Sequence, residues 1–276
     1  MDRIRLIASD MDATLLDEQS QLPADFEETI HALAELGIRF APASGRPLYT
    51  LEAMFPTLQD ELVFIGDNGG AIRWNGQNLF TSEMSPEGWR ALNRLTREQG
   101  DIAVLCGLES AYVERPFAVH DAVLRHFYTK IEYVDRLEDV TAPADKFTIY
   151  LPQHNAQQAY DTVYASQRSI YSVAVAGECW VDIMNPGVHK GAALQTLGQL
   201  WGLPSESMMA FGDTYNDAEM LRTAKYGFLM ENGSVPLRRN VPFLAPSHRE
   251  AGVMQVLHRV LAQNGCVCPE DFVPAH

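Results

Sequence analysis

The chain has 276 residues, of which 46% are hydrophobic and 21% are charged, the proportions of an ordinary globular protein. Its 21 Lys and Arg stand against 36 Asp and Glu, and the net charge of −15 repels nucleic acid, so no nucleic-acid partner is expected. No apolar run approaches the roughly 20 residues that cross a bilayer, and no secretory signal opens the chain, so we expect a cytoplasmic protein without a membrane partner.

The first eighty residues alternate strand-like and helix-like patterns. The spacing of apolar residues predicts a strand over 4–9, a helix over 26–36, a strand over 39–43 and a strand over 62–65. A short helix is expected after Pro47. Strands that alternate with helices predict a parallel sheet covered on both faces.

The same alternation returns near the C-terminus. It predicts a helix over 190–201, a strand over 208–211, a helix over 218–224, a strand over 226–230 and an amphipathic helix over 253–261.

The intervening stretch, from about residue 82 to 184, has an α/β pattern of its own. It predicts helices over 86–98 and 155–166, and strands over 102–105, 146–151 and 180–184. We therefore expect an inserted second domain over 83–185, with a core made of residues 1–82 and 186–276.

Four short polar motifs follow core strands, where open parallel sheets bind their ligands. The first is Asp10-Met-Asp12-Ala-Thr14, which places two carboxylates directly after the first strand. One carboxylate can attack phosphorus and form an aspartyl phosphate, while the other protonates the leaving oxygen and then activates water. The alternative is that both residues are turn and cap residues, a common position for Asp.

The second motif is Ser44-Gly45-Arg46-Pro47, at the end of the second core strand. A hydroxyl, a flexible backbone and the N-terminus of the following helix can together hold phosphate oxygens. Arg46 has two interpretations, since it either contacts a substrate or pairs with a core carboxylate such as Asp67.

The third motif contains Lys190-Gly191, in which Lys190 opens a predicted helix. A cation at a helix N-terminus opposes the macrodipole, and a phosphate group among carboxylates would compensate for this. The alternative is a solvated surface lysine, the commonest environment of Lys.

The fourth motif is Gly212-Asp213-Thr-Tyr-Asn216-Asp217, after an apolar strand. Clustered oxygen ligands suit Mg²⁺, which takes one or two carboxylates together with water and a phosphate oxygen. The alternative is an acidic turn that caps the next helix. A bound divalent cation would also explain how a strongly acidic protein accepts an anionic substrate.

Together these motifs resemble the haloacid dehalogenase-like hydrolase superfamily, specifically its Cof-type branch, subfamily IIB. The branch has an Asp-x-Asp-Gly-Thr pattern, a Thr/Ser-Gly-Arg-Pro turn, an Asn-Gly-Ala segment, a Lys-Gly pair and a Gly-Asp-x-x-Asn-Asp block, and each has a counterpart here in the same order. The resemblance covers essentially the whole chain. It implies an α/β fold with a Rossmann-like, doubly wound parallel-sheet core and an inserted α/β cap domain.

The resemblance also implies roles for the residues that react and that hold phosphate. Asp10 would be the nucleophile and Asp12 the general acid and base. Ser44 and Lys190, with the Gly45 backbone, would hold the transferring phosphoryl group.

Further roles follow from the resemblance for the metal, which would be Mg²⁺. Asp10, the backbone carbonyl of Asp12, and Asp213 would be its ligands. Asn216 and Asp217 would orient Lys190 and the waters on the metal.

Two positions depart from the family pattern. Ala13 replaces the usual glycine of the first motif, and Gly70 stands where alanine is common in the Asn-Gly-Ala segment. If position 13 requires positive φ, alanine is strained there by about 1 kcal/mol or more.

The sequence thus predicts a Mg²⁺-dependent phosphatase that hydrolyses a small phosphorylated metabolite, a sugar phosphate or a phosphorylated cofactor. A phosphomutase or phosphotransferase on the same residues stays an alternative, as does a catalytically silent protein that binds a phosphometabolite. Substrate choice is expected to lie in residues 83–184, and the assembly is expected to be a monomer or a small homo-oligomer.

Overall fold

A computed structural model describes residues 1–275 of the chain and contains two main β-sheets with helices packed on them. Its strands, in chain order, are β1 Asp2–Arg3, β2 Leu6–Asp10, β3 Arg39–Ala43, β4 Val63–Gly66, β5 Ala71–Trp74, β6 Gln77–Thr81, β7 Ile102–Gly107, β8 Ala111–Glu114, β9 Ile131–Val134, β10 Ala144–Tyr150, β11 Ser172–Ala176, β12 Trp180–Met184, β13 Met208–Gly212, β14 Tyr226–Met230, β15 Phe243–Ala245, β16 Cys266–Val267 and β17 Val273–Pro274. Its α-helices are α1 Phe26–Glu35, α2 Leu48–Ala53, α3 Pro86–Gln99, α4 Asp121–Phe127, α5 Ala156–Thr162, α6 Lys190–Trp201, α7 Ala218–Thr223 and α8 Gly252–Ala262.

The first sheet has nine strands in the order β17-β15-β14-β13-β2-β3-β4-β5-β6. From β15 to β4 each neighbouring pair is parallel, whereas β17, β5 and β6 pair antiparallel at the two edges. The predicted Rossmann-like core is confirmed, and the antiparallel edges are an addition that the sequence analysis did not predict. The signal for the β5–β6 hairpin is Asn75-Gly76, because both residues have the positive φ of a two-residue hairpin turn.

Strand β2 shows why this sheet is covered on both faces. Its residues are fully buried, and successive side chains of a strand point to opposite faces. Ile7 packs in one apolar cluster with side chains of α1, α2 and α8, while Leu6 and Ala8 pack in a second cluster with α6 and α7. A continuous apolar strand therefore lies between two helical layers, as the alternation of elements predicts.

The second sheet has six strands, all from the stretch between the two halves of the core. Their order is β11-β12-β10-β7-β8-β9, and only the β8–β9 pair is parallel. Helices α3 and α5 contribute to one apolar cluster on this sheet, and Leu124 of α4 contributes to a second. We propose this stretch as the inserted cap domain over 83–185, with residues 1–82 and 186–276 as the core domain.

The two connections between the sheets run side by side. The chain leaves the first sheet after β6 and returns after β12. The side-chain amide of Asn185 donates to the carbonyl oxygens of Ser82 at 3.2 Å and Glu83 at 2.8 Å. Asn185, on the returning connection, therefore binds the outgoing connection.

Several elements of the second sheet differ from the sequence prediction. The helix expected over 155–166 ends at Thr162, and the chain continues as a tighter turn over Tyr164–Ser169. Strands β8, β9 and β11 and helix α4 were not predicted. Only Leu124 of α4 is buried, so this short helix leaves no periodic apolar pattern in the sequence.

None of the helices within residues 1–275 combines the length and the apolar composition that a bilayer crossing requires.

Candidate active site

Three of the predicted motifs meet at the carboxyl ends of central strands in the first sheet. Asp10 ends β2, Ser44 follows β3, and Asp213 follows β13. Because these three strands are adjacent and parallel, their carboxyl ends lie together. Lys190, at the start of α6, approaches these same carboxyl ends.

Lys190 is a fully buried cation between two carboxylates. Its ammonium donates to Asp10 Oδ1 in a short contact and to Asp217 Oδ1 at 2.7 Å. The interpretation of Lys190 as a solvated surface residue is therefore wrong. Burial lowers the pKa of Lys190, but the carboxylates of Asp10 and Asp217 raise it further than burial lowers it, so the side chain stays charged.

Asp217 is held in place by the backbone as well as by Lys190. Its Oδ2 accepts from the N–H groups of Asp213 at 3.0 Å and Thr214 at 3.2 Å, as part of a capping box at the turn Tyr215–Asp217. Gly212 is needed here because a Cβ atom would clash with the Asp217 side chain. The acidic motif therefore caps the short turn directly before α7 and not α7 itself, and the same Asp217 side chain also contacts Lys190.

Asn216 does not reach Lys190, although the resemblance gave it a role shared with Asp217. Its side chain is exposed, and its amide oxygen accepts from the Thr214 hydroxyl at 2.6 Å. Contact with Lys190 therefore comes from Asp217 alone in this pair.

The acidic residues fit a divalent cation. Asp10, Asp213 and Asp217 each offer an oxygen within 4.8 Å of the others. Burial raises the pKa of Asp10 to about 8, and the neighbouring Asp217 adds to this rise. Burial also raises the pKa of Asp213 to about 6, again with a contribution from Asp217. When all three groups are ionised, one ammonium does not balance their charge, so the ionised site favours an additional cation with a preference for oxygen ligands, such as Mg²⁺.

Asp12 lies at the open side of the site, with its side chain 58% exposed. Its carboxylate accepts twice from Arg46 Nη2, at 2.8 and 3.1 Å. The carboxylate partner of Arg46 is thus Asp12 and not Asp67, because Asp67 is buried and pairs with Lys146 at 2.9 Å.

The turn after β3 is partly buried, and several hydrogen bonds hold its backbone. The N–H of Arg46 donates to Ser44 Oγ at 3.1 Å, and the N–H of Asn68 donates to the Ser44 carbonyl at 2.9 Å. The carbonyl of Gly45 accepts from Lys146 Nζ at 2.5 Å. A Cβ atom at position 45 would come within 3.2 Å of the Asn68 amide, so the turn leaves little room for a larger residue.

The two departures from the family pattern have structural explanations. Ala13 has φ of +59°, so the strain expected at this position is confirmed. Its carbonyl accepts from Asn232 Nδ2 at 2.9 Å, which helps to hold that conformation. At Gly70 a Cβ atom would lie 3.0 Å from Asp145 Oδ2, so the buried Asp145 favours glycine over alanine there.

A cavity of about 970 Å³ opens above these residues. The core contributes Asp10, Ser44 and Asp213 to its wall, and the second sheet and the segments around it contribute Phe127, Tyr128, Lys146, Glu178, Trp180 and Asp182. Sequence analysis missed Lys146 and Asp182 as site residues. The available signal for Lys146 was the charged pair Asp145-Lys146 inside the mainly apolar stretch of β10, where both residues are buried.

Comparison with known proteins shows similarity along the whole chain. The sequence model of the haloacid dehalogenase-like hydrolase family matches residues 7–257. The 5-amino-6-(5-phospho-D-ribitylamino)uracil phosphatase YbjI of Escherichia coli strain K12 is 32% identical, over 94% of this chain and 96% of that protein. The HMP-PP phosphatase of Cronobacter sakazakii is 31% identical, over 87% of this chain and 89% of that protein. Among solved structures, SMU.1108c from Streptococcus mutans UA159 superimposes with a TM-score of 0.83 at 29% identity, over 94% of this chain and 99% of that one.

Proposed function

The chain belongs to the haloacid dehalogenase-like hydrolase family, and on this basis we propose that it is a Mg²⁺-dependent phosphatase acting on a small phosphorylated metabolite. The observation that carries the proposal is Asp10, a buried carboxylate at a strand end that faces a cavity and is bound by the buried ammonium of Lys190. Two relatives above 30% identity are named as phosphatases of phosphorylated metabolites.

In the first proposed step, an Asp10 carboxylate oxygen attacks phosphorus and the bond from phosphorus to the leaving oxygen breaks. Asp12 gives its proton to that oxygen, and the product is an aspartyl phosphate. In the second step Asp12 takes a proton from water as the water oxygen attacks phosphorus. The bond from phosphorus to Asp10 then breaks, and inorganic phosphate leaves.

The remaining residues would bind charge and fix geometry. Lys190 would hold a phosphoryl oxygen together with the Ser44 hydroxyl and the backbone at Gly45. Asp217, whose two oxygens are already occupied, would keep the Lys190 ammonium in position. Asp12 would leave Arg46 when the leaving group enters, since both partners line the open side of the cavity.

Asp10, Asp213 and the backbone carbonyl of Asp12 would hold the Mg²⁺ ion. When bound, the ion supplies positive charge that neutralises the phosphoryl oxygens and lets Asp10 ionise near neutral pH. Asn216 stays a proposed contact to waters at this site.

We assign substrate choice to the part of the cavity formed by the inserted stretch, residues 83–185. A sugar phosphate or a phosphorylated cofactor fits a cavity with a phosphate site at one end and aromatic and polar side chains at the other. The cytoplasmic location and the monomeric or small homo-oligomeric state stay predictions.

The test is release of inorganic phosphate from an aryl phosphate and from a panel of sugar and cofactor phosphates. We expect turnover with Mg²⁺, none with EDTA, and a loss of more than about 10³-fold in Asp10→Asn, because the nucleophile is removed. Asp60→Asn serves as a matched control. It removes an exposed carboxylate that precedes β4 and so lies near the amino ends of the parallel strands, away from the site.

Two other outcomes would replace the proposal. Phosphate that appears on an acceptor other than water would indicate a phosphotransferase or phosphomutase. Folded protein that binds Mg²⁺ but turns over no substrate would indicate a silent binding protein.

A further inference from the structure

Lys146 is a buried cation that connects the second sheet to the phosphate-binding turn of the core. It lies in β10 and is 2% exposed. Its Nζ donates to the Gly45 carbonyl at 2.5 Å and lies 2.9 Å from Asp67 Oδ1. One side chain from the second sheet thus contacts two segments of the core.

The surroundings keep Lys146 charged and fixed. Burial lowers its pKa, but the carboxylates of Asp182 and Asp67 raise it well above the ordinary value. Asp182 Oδ2 lies 3.8 Å from the ammonium and also accepts from the Asn68 amide at 3.1 Å. A buried lysine with these partners has little freedom to move, because each movement would leave a carboxylate unpaired.

The peptide unit that Lys146 holds also sets the Ser44 hydroxyl. The Gly45 carbonyl and the Arg46 N–H belong to one planar peptide, so fixing the carbonyl fixes the direction of the N–H. That N–H donates to Ser44 Oγ at 3.1 Å. With an oxygen lone pair occupied in this way, the hydroxyl proton is available to a phosphoryl oxygen in the cavity.

The core holds the neighbouring peptides without help from the second sheet. Asn68 N–H donates to the Ser44 carbonyl, and Asp67 N–H donates to the Arg46 carbonyl, both at 2.9 Å. Within residues 1–275, the Gly45 carbonyl has Lys146 as its hydrogen-bond donor. Because glycine permits rotation of this peptide, the turn depends on Lys146 at this one unit.

We propose that Lys146 is a positioning residue that sets the peptide between residues 45 and 46, so that the Ser44 hydroxyl donates to the phosphoryl group. Phosphate binding in the core then depends on a side chain that the second sheet supplies. This inference rests on the proposed function only in taking Ser44 as a phosphate ligand.

The experiment is a double-mutant cycle read as the dissociation constant of inorganic phosphate, measured by calorimetry with Mg²⁺ present. Lys146→Met and Ser44→Ala should each weaken binding about tenfold, the effect of one hydrogen bond to a charged group. The double variant should be no more than about twofold weaker than Ser44→Ala alone, since both changes remove the same interaction.

Losses that multiply in the double variant would overturn the inference, because Lys146 would then act independently of Ser44. Lys225→Met is the charge control. It removes one positive charge from an exposed lysine that precedes β14, near the amino ends of the parallel strands and away from the site. The dissociation constant should stay within about twofold of the parent value.

If Lys146→Met does not fold, the same cycle is run with Lys146→Met in an Asp67→Asn background, which removes both members of the buried pair, and is compared with Asp67→Asn alone. Phosphate binding requires no turnover, so the cycle is informative for a silent protein. If the enzyme is active but binds phosphate too weakly for calorimetry, the same cycle is measured as kcat/KM. Losses in kcat/KM that multiply in the double variant would overturn the role of Lys146, while the phosphatase activity would stand.

Discussion

At the scale of single residues, Asp10 has a stability effect that depends on pH. Burial and Asp217 raise its pKa from the ordinary 3.8 to about 8 in the folded, metal-free protein. Between pH 4 and 8, Asp10 therefore keeps its proton in the folded state and has lost it in the unfolded state. This contribution to stability is fully present below pH 4 and is lost as the pH rises through about 8.

We predict that the melting temperature of the metal-free protein falls between pH 6 and pH 8.5, and that it falls less in Asp10→Asn. Mg²⁺ should raise the melting temperature more at pH 8.5 than at pH 6, because the cation binds the ionised carboxylates. Thermal melts with EDTA and with Mg²⁺ at the two pH values check this. An equal Mg²⁺ effect at both pH values would contradict it.

Local motifs predicted which core residues lie together at the candidate site, and contacts distant in sequence add further residues to it. Asp10, Ser44 and Asp213 each follow a strand, so the order of elements was enough to bring them together. Lys146 could not be predicted in this way, because its contact with Gly45 spans 101 residues and depends on how the second sheet sits on the core. The pairing of Arg46 with Asp12 escaped prediction for a similar reason.

At the scale of elements, the approach of α6 to α7 fixes the Lys190 backbone. A Cβ atom at Gly191 would lie 2.6 Å from the backbone carbon of Glu219, at the start of α7. Two helices can come this close only where one of them has no side chain. The glycine beside Lys190 therefore allows α6 to lie this close to α7.

We predict that Gly191→Ala lowers the free energy of unfolding by about 1–2 kcal/mol, since overpacking outweighs the gain in helix propensity. It should also lower kcat/KM by on the order of tenfold or more, because Lys190 moves with the backbone. Gly198→Ala in the same helix is the matched control.

A Cβ atom at Gly198 would mainly meet the terminal methyl of Met208, a flexible side chain that can rotate away. That variant should keep its activity and stay within about 1 kcal/mol of the parent. Urea unfolding measures the stability of both variants, and steady-state kinetics measures their kcat/KM. Equal stability of the two would contradict the importance of the contact between α6 and α7.

Several strands of both sheets have the bounds that the sequence predicts. The bounds of β3, β12 and β14 coincide with the predicted 39–43, 180–184 and 226–230, and every residue of these strands except Arg39 is buried. Strand β11 is half-buried along its length and lies at a sheet edge, and its apolar run Val173-Ala-Val-Ala176 is a signal that the prediction missed. Strand β5 is mostly buried, but its four residues are too few to show a period, and it was not predicted.

At the scale of the whole molecule, the net charge of −15 acts on an anionic substrate before it reaches the site. At about 10 mM salt the protein's field extends roughly 30 Å, and at 150 mM it extends about 8 Å. We predict that kcat/KM rises roughly two- to fivefold between these salt concentrations at constant free Mg²⁺. A fall with salt would mean that the cations at the cavity control the encounter.

The paired connections have a consequence for how such a protein diverges. Asn185 holds the outgoing and returning chain together, so the core has one fixed pair of attachment points. Insertions, deletions or a transplanted segment between those points can alter substrate range while Asp10 and Lys190 keep their spacing. A functional chimera built there has one further requirement under our proposal, because the incoming segment must supply a donor for the carbonyl of Gly45.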